Sequence, residues 1–213
     1  MIPNQPFRPA PRSARDKLLE AGVLLVRSRG FAGTSVDQLC GEAGVTKGAF
    51  FHHFASKEAL GIALADYWST STSAFFAAAP YHHLADPVQR VLGYIDLRTA
   101  LIGGPAESFC CVAGTMVQET FLTSEPIRAA CETSIFANAQ ALDADIAAAL
   151  AQSGRDDVSA ASLGRYIQAV LQGAFVLAKA RGDADAADTA RDQLQHLRRY
   201  LELLFSEGMS HAG

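Results

Sequence analysis

"TSVDQLCGEAGVTKGAFFHHFASKEAL", residues 34–60, holds two short helical patterns separated by a single glycine. Val36, Leu39, Cys40 and Ala43 fall at i, i+3, i+4 and i+7, one face of a helix, and Ser35 with Gln38 supplies a capping box at its start. Gly44 permits a tight turn, and Thr46 can cap a following helix of about seven residues. In that helix Phe50 and Phe54 are four apart and share a side with Val45 and Ala49, so they should pack down onto the preceding helices. Lys47, Gly48, Phe51 and His52 are left facing outward. Two short helices joined by a glycine-containing turn form a helix-turn-helix, whose second helix enters the DNA major groove. The outward set suits that use. Gly48 lets the backbone approach a duplex, Lys47 offers a phosphate contact and His52 can donate to a phosphate or a base edge. Phe51 offers apolar contact to a thymine methyl or a sugar, and Lys57, in the first turn of the next helix, is placed to reach a phosphate.

Outward from this stretch the pattern stays helical. Ser13 can cap a helix over about 14–28 that buries Leu18, Leu19, Gly22, Leu25 and Val26 and stops at Gly30. Ser56 opens a fourth helix that ends before Pro80. Asp86-Pro87, Pro105, and Pro126 after Ser124 mark later starts, which predicts helices near 87–102, 106–121 and 125–152. Two more are expected over about 159–181 and 186–206. No alternating strand pattern persists, so the expected fold is all-α with about nine helices: a three-helix head over 1–55 and a helical body over 56–213. Residues 1–12 form a flexible basic arm whose Arg8 and Arg12, with Arg15, are expected to add phosphate or minor-groove contacts.

Composition narrows the classes. No apolar run reaches the 18 residues of a membrane span, and the proline-bearing first 17 residues are not a secretory signal, so a cytoplasmic location is expected. Cys40, Cys110, Cys111 and Cys131 have neither zinc spacing nor the density of a disulfide framework, and are expected as thiols. His52 and His53 point about 100 degrees apart on a helix and cannot share one metal ion, and neither a metal nor a cofactor is expected. The net charge of -4 hides an asymmetry: residues 1–60 carry 8 Lys/Arg against 5 Asp/Glu, while 61–213 carry 10 against 17. A basic head on an acidic body points to an anionic partner for the head alone. An enzyme acting on a small apolar substrate in the helical body is the alternative. No Ser-His-Asp grouping, phosphate-binding glycine loop or two-histidine helix motif supports it, and no catalytic residue is assigned.

From residue 15 to 64, with "GFAGTSVDQLCGEAGVTKGAFFHHFASKEAL" at the centre, the sequence closely resembles the amino-terminal domain of the tetracycline-repressor (TetR) family of transcriptional regulators. The G-x-x-x-T-S-V entry, the A-G-V turn, the K-G opening and the F-x-S-K-E-A-L exit hold register together. The resemblance implies a homodimeric DNA-binding regulator, most often a repressor, with double-stranded operator DNA as partner. It implies a DNA-facing set of Ser35, Thr46, Lys47, Gly48, Ala49, Phe51, His52, His53 and Lys57. Ala49 and Phe51 stand where the family often has Ser or Thr and Tyr. It further implies that a ligand in the body swings the fourth helix and changes the separation of the two heads.

Two body features extend this expectation. The segment "GGPAESFCCVAGTMVQETF" sets Cys110, Cys111, Met116 and Phe121 in the middle of the body, a soft and mostly apolar lining that predicts a small hydrophobic effector. Cys110 and Cys111 suit either packing or a thiol pair in a ligand cavity. With the body aromatics the candidate lining is Trp68, Phe75, Tyr94, Leu97, Leu101, Cys110, Met116, Phe121, Phe136 and Tyr166. The last two helices carry heptad seams, Leu163, Ile167, Val170, Ala174 and Leu177, then Ala190, Leu194, Leu197, Leu201 and Leu204. A second stripe on the first of them holds Gly164, Leu171, Phe175 and Ala178. The expected interface between two copies is Gly164, Ile167, Leu171, Phe175, Leu194, Leu197 and Leu201.

Overall fold

A computed structural model describes residues 13–182 and 184–206. The expected arm, with Arg8 and Arg12, lies outside the described residues. Among them the chain is helical throughout, and local chemistry sets most of the ends. In α1 (Ala14–Arg29) the Ser13 hydroxyl accepts from the Asp16 N–H, and Gly30 (φ 82) stops the helix. In α2 (Val36–Ala43) the Ser35–Gln38 capping box is closed in both directions, at 3.2 and 2.8 Å. Gly44 (φ 63) makes the left-handed stop and returns its N–H to the last carbonyls of α2. Thr46 caps α3 (Lys47–His53), and the Ser56 hydroxyl accepts from Ala59 N–H at the start of α4 (Lys57–Ala77).

Downstream come a 3-10 turn at Pro80–His83, α5 (Pro87–Ala100) capped by Asp86, and a second 3-10 turn at Ala106–Ser108. They are followed by α6 (Val112–Thr120), α7 (Glu125–Gln140), α8 (Asp143–Gln152), α9 (Ala160–Arg181) and α10 (Ala186–Ser206). All nine expected segments are helical, with two revisions. The 106–121 helix is a 3-10 turn and then α6, whose new start is capped by the Cys111 thiol accepting from the Gly114 N–H at 3.3 Å. The 125–152 helix divides into α7 and α8 near Leu142. There α9 approaches closely: a Cβ on Gly164 would stand 2.9 Å from the Ala139 carbonyl oxygen and 3.2 Å from Asp143 Oδ1. No helix among the described residues is long and apolar enough to cross a membrane.

The chain divides into two compact units. The first joins the residues up to Ala74 to Cys110–Ile135, and the second joins Phe75–Phe109 to the residues from Phe136 onward. The expected boundary near residue 55 falls inside the first unit. Its core packs Leu18, Leu19, Leu39, Phe50, Phe54 and Leu64 against Val112, Ala113, Met116, Ile127 and Cys131, so α6 and the first part of α7 complete the core of the helix-turn-helix.

In the second unit α9 packs on α10 and α8, and α5 on α8 and α10. Carboxylates pin these contacts: Arg90 Nε lies 2.6 Å from Asp145, and Arg198 Nε lies 2.6 Å from Asp96. The heptad residues, expected between copies, are mostly covered inside this unit. Gly164, Ile167, Leu171, Phe175, Leu194, Leu197 and Leu201 are all buried in one chain. Their spacing serves contacts of α9 and α10 with each other and with α8 and α5, because a buried helix packs at the same period against any neighbour. The apolar side chains left exposed are instead Tyr166, Val176 and Leu177 on α9 and Tyr200 and Leu203 on α10.

Candidate nucleic-acid interface and effector region

Two phenylalanines fix how α3 is presented. Phe50 has no exposed surface and Phe54 is buried, their ring centroids 5.8 Å apart, so the helix is held through that side. The opposite side is open: Lys47, Gly48, Phe51 and His52 are exposed, Phe51 by 57%. Phe51 rests edge-on against Phe50 at 5.2 Å, which limits the rotamers of an otherwise free aromatic. His53 is half-buried with its ring 4.9 Å from that of His52, and Ala49 is half-buried. Ser35 and Thr46 are exposed caps whose hydroxyls already accept from Gln38 and Ala49.

The basic groups are held differently from one another. Lys47 Nζ lies 2.7 Å from Asp37 Oδ1 on α2, an exposed pair whose hydrogen bond raises the lysine's pKa. Lys57 is half-buried, donates to the Ala32 carbonyl at 3.3 Å and stands over the Phe31 ring at 4.6 Å. Burial lowers its pKa and nearby Glu119 raises it. The Arg15 guanidinium lies 5.6 Å from the centre of Phe54. Glu119, at the end of α6, accepts from the Ala32 N–H. Neither Glu119 nor Asp37 carried a signal in the sequence, since each acts on a segment it reaches only through the fold.

The ten expected effector residues separate into two sets. In the first unit Cys110 and Met116 are fully buried, Trp68 is half-buried beneath the Arg27 guanidinium at 5.5 Å, and Phe121 is exposed. In the second unit Phe75 touches Phe76 edge-on at 5.2 Å, and Phe76 lies 5.4 Å from Tyr94, which also meets Tyr81 at 5.9 Å. Burial pushes the Tyr81 phenol above its ordinary value, and Tyr94 adds to this. Leu97 and Leu101, half-buried, continue the α5 face that holds Tyr94. Phe136 and Tyr166 are exposed, Tyr166 with its ring 5.3 Å from Tyr200. Of the four thiols only Cys111 is half-exposed. Burial, and secondarily Cys111, pushes the Cys131 thiol up to about 12.

A helix-turn-helix held by α1 and α6, with an exposed second helix and a separate helical unit following, defines a DNA-binding regulator. The family described as bacterial regulatory proteins, tetR family, matches residues 18–64, and the LmrA/YxaF-like transcriptional-regulator C-terminal domain matches residues 87–193, half of the chain. The chain belongs to the TetR family of transcriptional regulators. It is 27% identical over 172 residues to YxaF, an uncharacterized HTH-type transcriptional regulator of Bacillus subtilis, covering 80% of this chain and 87% of that one. Over 50 residues it is 46% identical to the HTH-type transcriptional repressor NemR of Escherichia coli K12, covering 24% of this chain and 25% of that one. A TetR-family regulator from Agrobacterium tumefaciens shares the fold with a TM-score of 0.73 at 23% identity, over 87% of this chain and 98% of that one. TetR-family regulators bind operator DNA and act as dimers; they are regulators of transcription rather than enzymes.

Proposed function

We propose that the chain is a repressor that binds a two-fold operator as a homodimer and is released by a small hydrophobic effector. Gly48 carries the DNA reading. Among the described residues a Cβ there would meet Thr46 Oγ1 alone, at 3.7 Å, an ordinary contact, so nothing in them demands a glycine. Glycine is a poorer helix former than alanine, by up to about 1 kcal/mol in an interior and by less in the first turn, where Gly48 stands in a helix of only seven residues. A reason outside the chain is a duplex backbone pressed against that turn, flanked by Lys47, Phe51 and His52. Ser35, Thr46, Ala49, His53 and Lys57 complete the proposed surface, with the two exposed caps and Lys57 nearest the phosphates.

Two copies are proposed to meet through the exposed apolar side chains of α9 and α10, Tyr166, Val176 and Leu177 on the side of α9 that carries Gly173, and Tyr200 and Leu203 on α10. Among the described residues, its own stretch of helix aside, nothing lies within 4 Å of a Cβ at Gly173, leaving room for a partner helix. The effector is proposed to lie along the α5 face of Tyr94, Leu97 and Leu101, beside Phe75 and Phe76. Both phenylalanines belong to the last turns of α4, whose first turn carries Lys57. A shift of that helix would alter the separation of two recognition helices that must sit about 34 Å apart. Repression is supported by NemR, a repressor by name with a similar head.

Selection of random duplexes on the purified protein tests this function. It should enrich an inverted repeat with half-sites one helical turn apart, bound with an affinity that falls steeply with salt. Recovery of unselected sequence, or salt-independent retention, would sink the reading.

A further inference from the structure

We propose that the effector is an organic acid and that Arg98 on α5 recognises its carboxylate. The inference rests on the effector region proposed above. Arg98 lies on the same face as Tyr94, Leu97 and Leu101, since the four stand at i, i+3, i+4 and i+7. Its guanidinium carbon is 3.9 Å from the centre of Phe76 and 5.1 Å from that of Tyr94. Nε donates to the Tyr94 hydroxyl at 2.8 Å, and Nη2 reaches Asn138 Oδ1 only at 3.5 Å. Nη1 has no acceptor among the described residues.

The other half-buried arginines of the second unit set the comparison. Arg90 lies 2.6 Å from Asp145, Arg155 2.8 Å from Asp157, Arg191 2.7 Å from Asp188 and Arg198 2.6 Å from Asp96. Arg98 alone among these five has no carboxylate within ion-pair distance in the described residues. A charge partly removed from water calls for an opposite charge or a full set of hydrogen bonds, and rings with one phenol and one distant amide supply neither in full. The rings stack against the guanidinium and hold its fork still, which lowers the entropy cost of a further contact. A carboxylate matches the edge that remains, because its two oxygens can accept a parallel pair of N–H bonds. The class of acid follows from the surroundings. Phe76, Leu97 and Leu101 favour an aliphatic or aromatic carbon skeleton. A single guanidinium suits a monoanion better than a phosphate ester.

Matched pairs of an acid and its neutral amide test this on the full chain: decanoate with decanamide, hydrocinnamate with hydrocinnamamide, and naphthoate with naphthamide. Affinities are read by calorimetry, with melting temperature as a second readout. In at least one pair the acid should bind wild type about tenfold more tightly than the amide, a difference of about 1.4 kcal/mol. Arg98→Gln should erase that preference and leave amide binding unchanged, and Arg98→Lys should keep part of it. Should Arg98→Gln fail to fold, a fall in the wild-type acid preference with added chloride and its reduction in Arg98→Lys serve the same purpose. Equal binding of acid and amide, or a preference that survives in a folded Arg98→Gln variant, overturns the role of Arg98 while leaving the effector region standing. If neither member of any pair binds, the effector region and the role of Arg98 fall together.

Discussion

Glu119 Oε2 accepts a hydrogen bond from the backbone N–H of Ala32 at 2.7 Å, joining two residues 87 apart in sequence. The same carboxylate fills the space a side chain would need at Gly30, where a Cβ would stand 2.1 Å from Oε1 on a backbone of φ 82. The end of α6 thus grips the loop that leads into the helix-turn-helix. Glu119→Ala should lower unfolding free energy by about 1.5 kcal/mol, the low end for a hydrogen bond to a charged group. Gly30→Ala should cost at least as much through left-handed strain and collision. In a double-mutant cycle by urea denaturation the two losses should be less than additive, because removing the carboxylate relieves the collision; strict additivity would separate the two sites.

Lys47 and Asp37 form an exposed pair, so a phosphate reaching Lys47 competes with a carboxylate already there. Lys47→Ala should weaken binding to every duplex and reduce the slope of log affinity against log salt by about 1. Asp37→Asn should do the reverse for non-specific DNA, raising affinity a few-fold. Anisotropy titrations on specific and scrambled duplexes check both.

The second unit offers a contrast between buried and exposed apolar positions. Val176→Glu and Leu203→Glu alter side chains about 45% exposed, and each should yield a folded monomer by light scattering. Leu171→Glu and Leu197→Glu place a charge where the native side chain is 1% and 2% exposed, which should cost about 3–5 kcal/mol and unfold the unit. An intact dimer in both surface variants would move the interface elsewhere.

Thiol chemistry separates Cys111 from the rest. At pH 8 a maleimide should label it quickly, whereas Cys40, Cys110 and Cys131 should react only on unfolding. The Cys131 thiol, pushed from 9.0 to about 12, stays protonated in the folded chain after an unfolded one would ionise. Its stabilising contribution is therefore whole below pH 9 and is lost as pH rises toward 12, by at most about 1.4 kcal/mol per pH unit. Cys131→Ala should flatten the fall in denaturation midpoint between pH 9 and 10.

The head was legible because its signals are local. Ser13, Ser35 with Gln38, Gly44 and Thr46 each act within a few residues, and each cap forms as its spacing implies. The break near Leu142 was not legible, since no proline or glycine marks it and the helix that lies against it, α9 at Gly164, is reached only through the fold. The heptads were legible as packing surfaces. Which neighbour would cover them was not, because a repeat every three or four residues fits a helix of the same chain as well as one of a partner. Arg98 and Glu119 were not legible for a related reason: a lone charge in a helix reads as a solvated face until its surroundings are known.

The first unit's core draws on Val112, Met116, Ile127 and Cys131 as well as on α1 to α4. On the ribosome this imposes a delay. Once residue 74 has been made, 61 more must follow before residue 135 is in place, an interval of roughly 3–12 s at about 5–20 residues per second. During it the cluster that holds Leu18, Phe50 and Leu64 lacks its α6 and α7 members. A gene fragment ending after α4 would make that transient exposure permanent and should yield aggregated rather than soluble product. The shortest nascent chain able to close the reading head runs past Ile127 and Cys131.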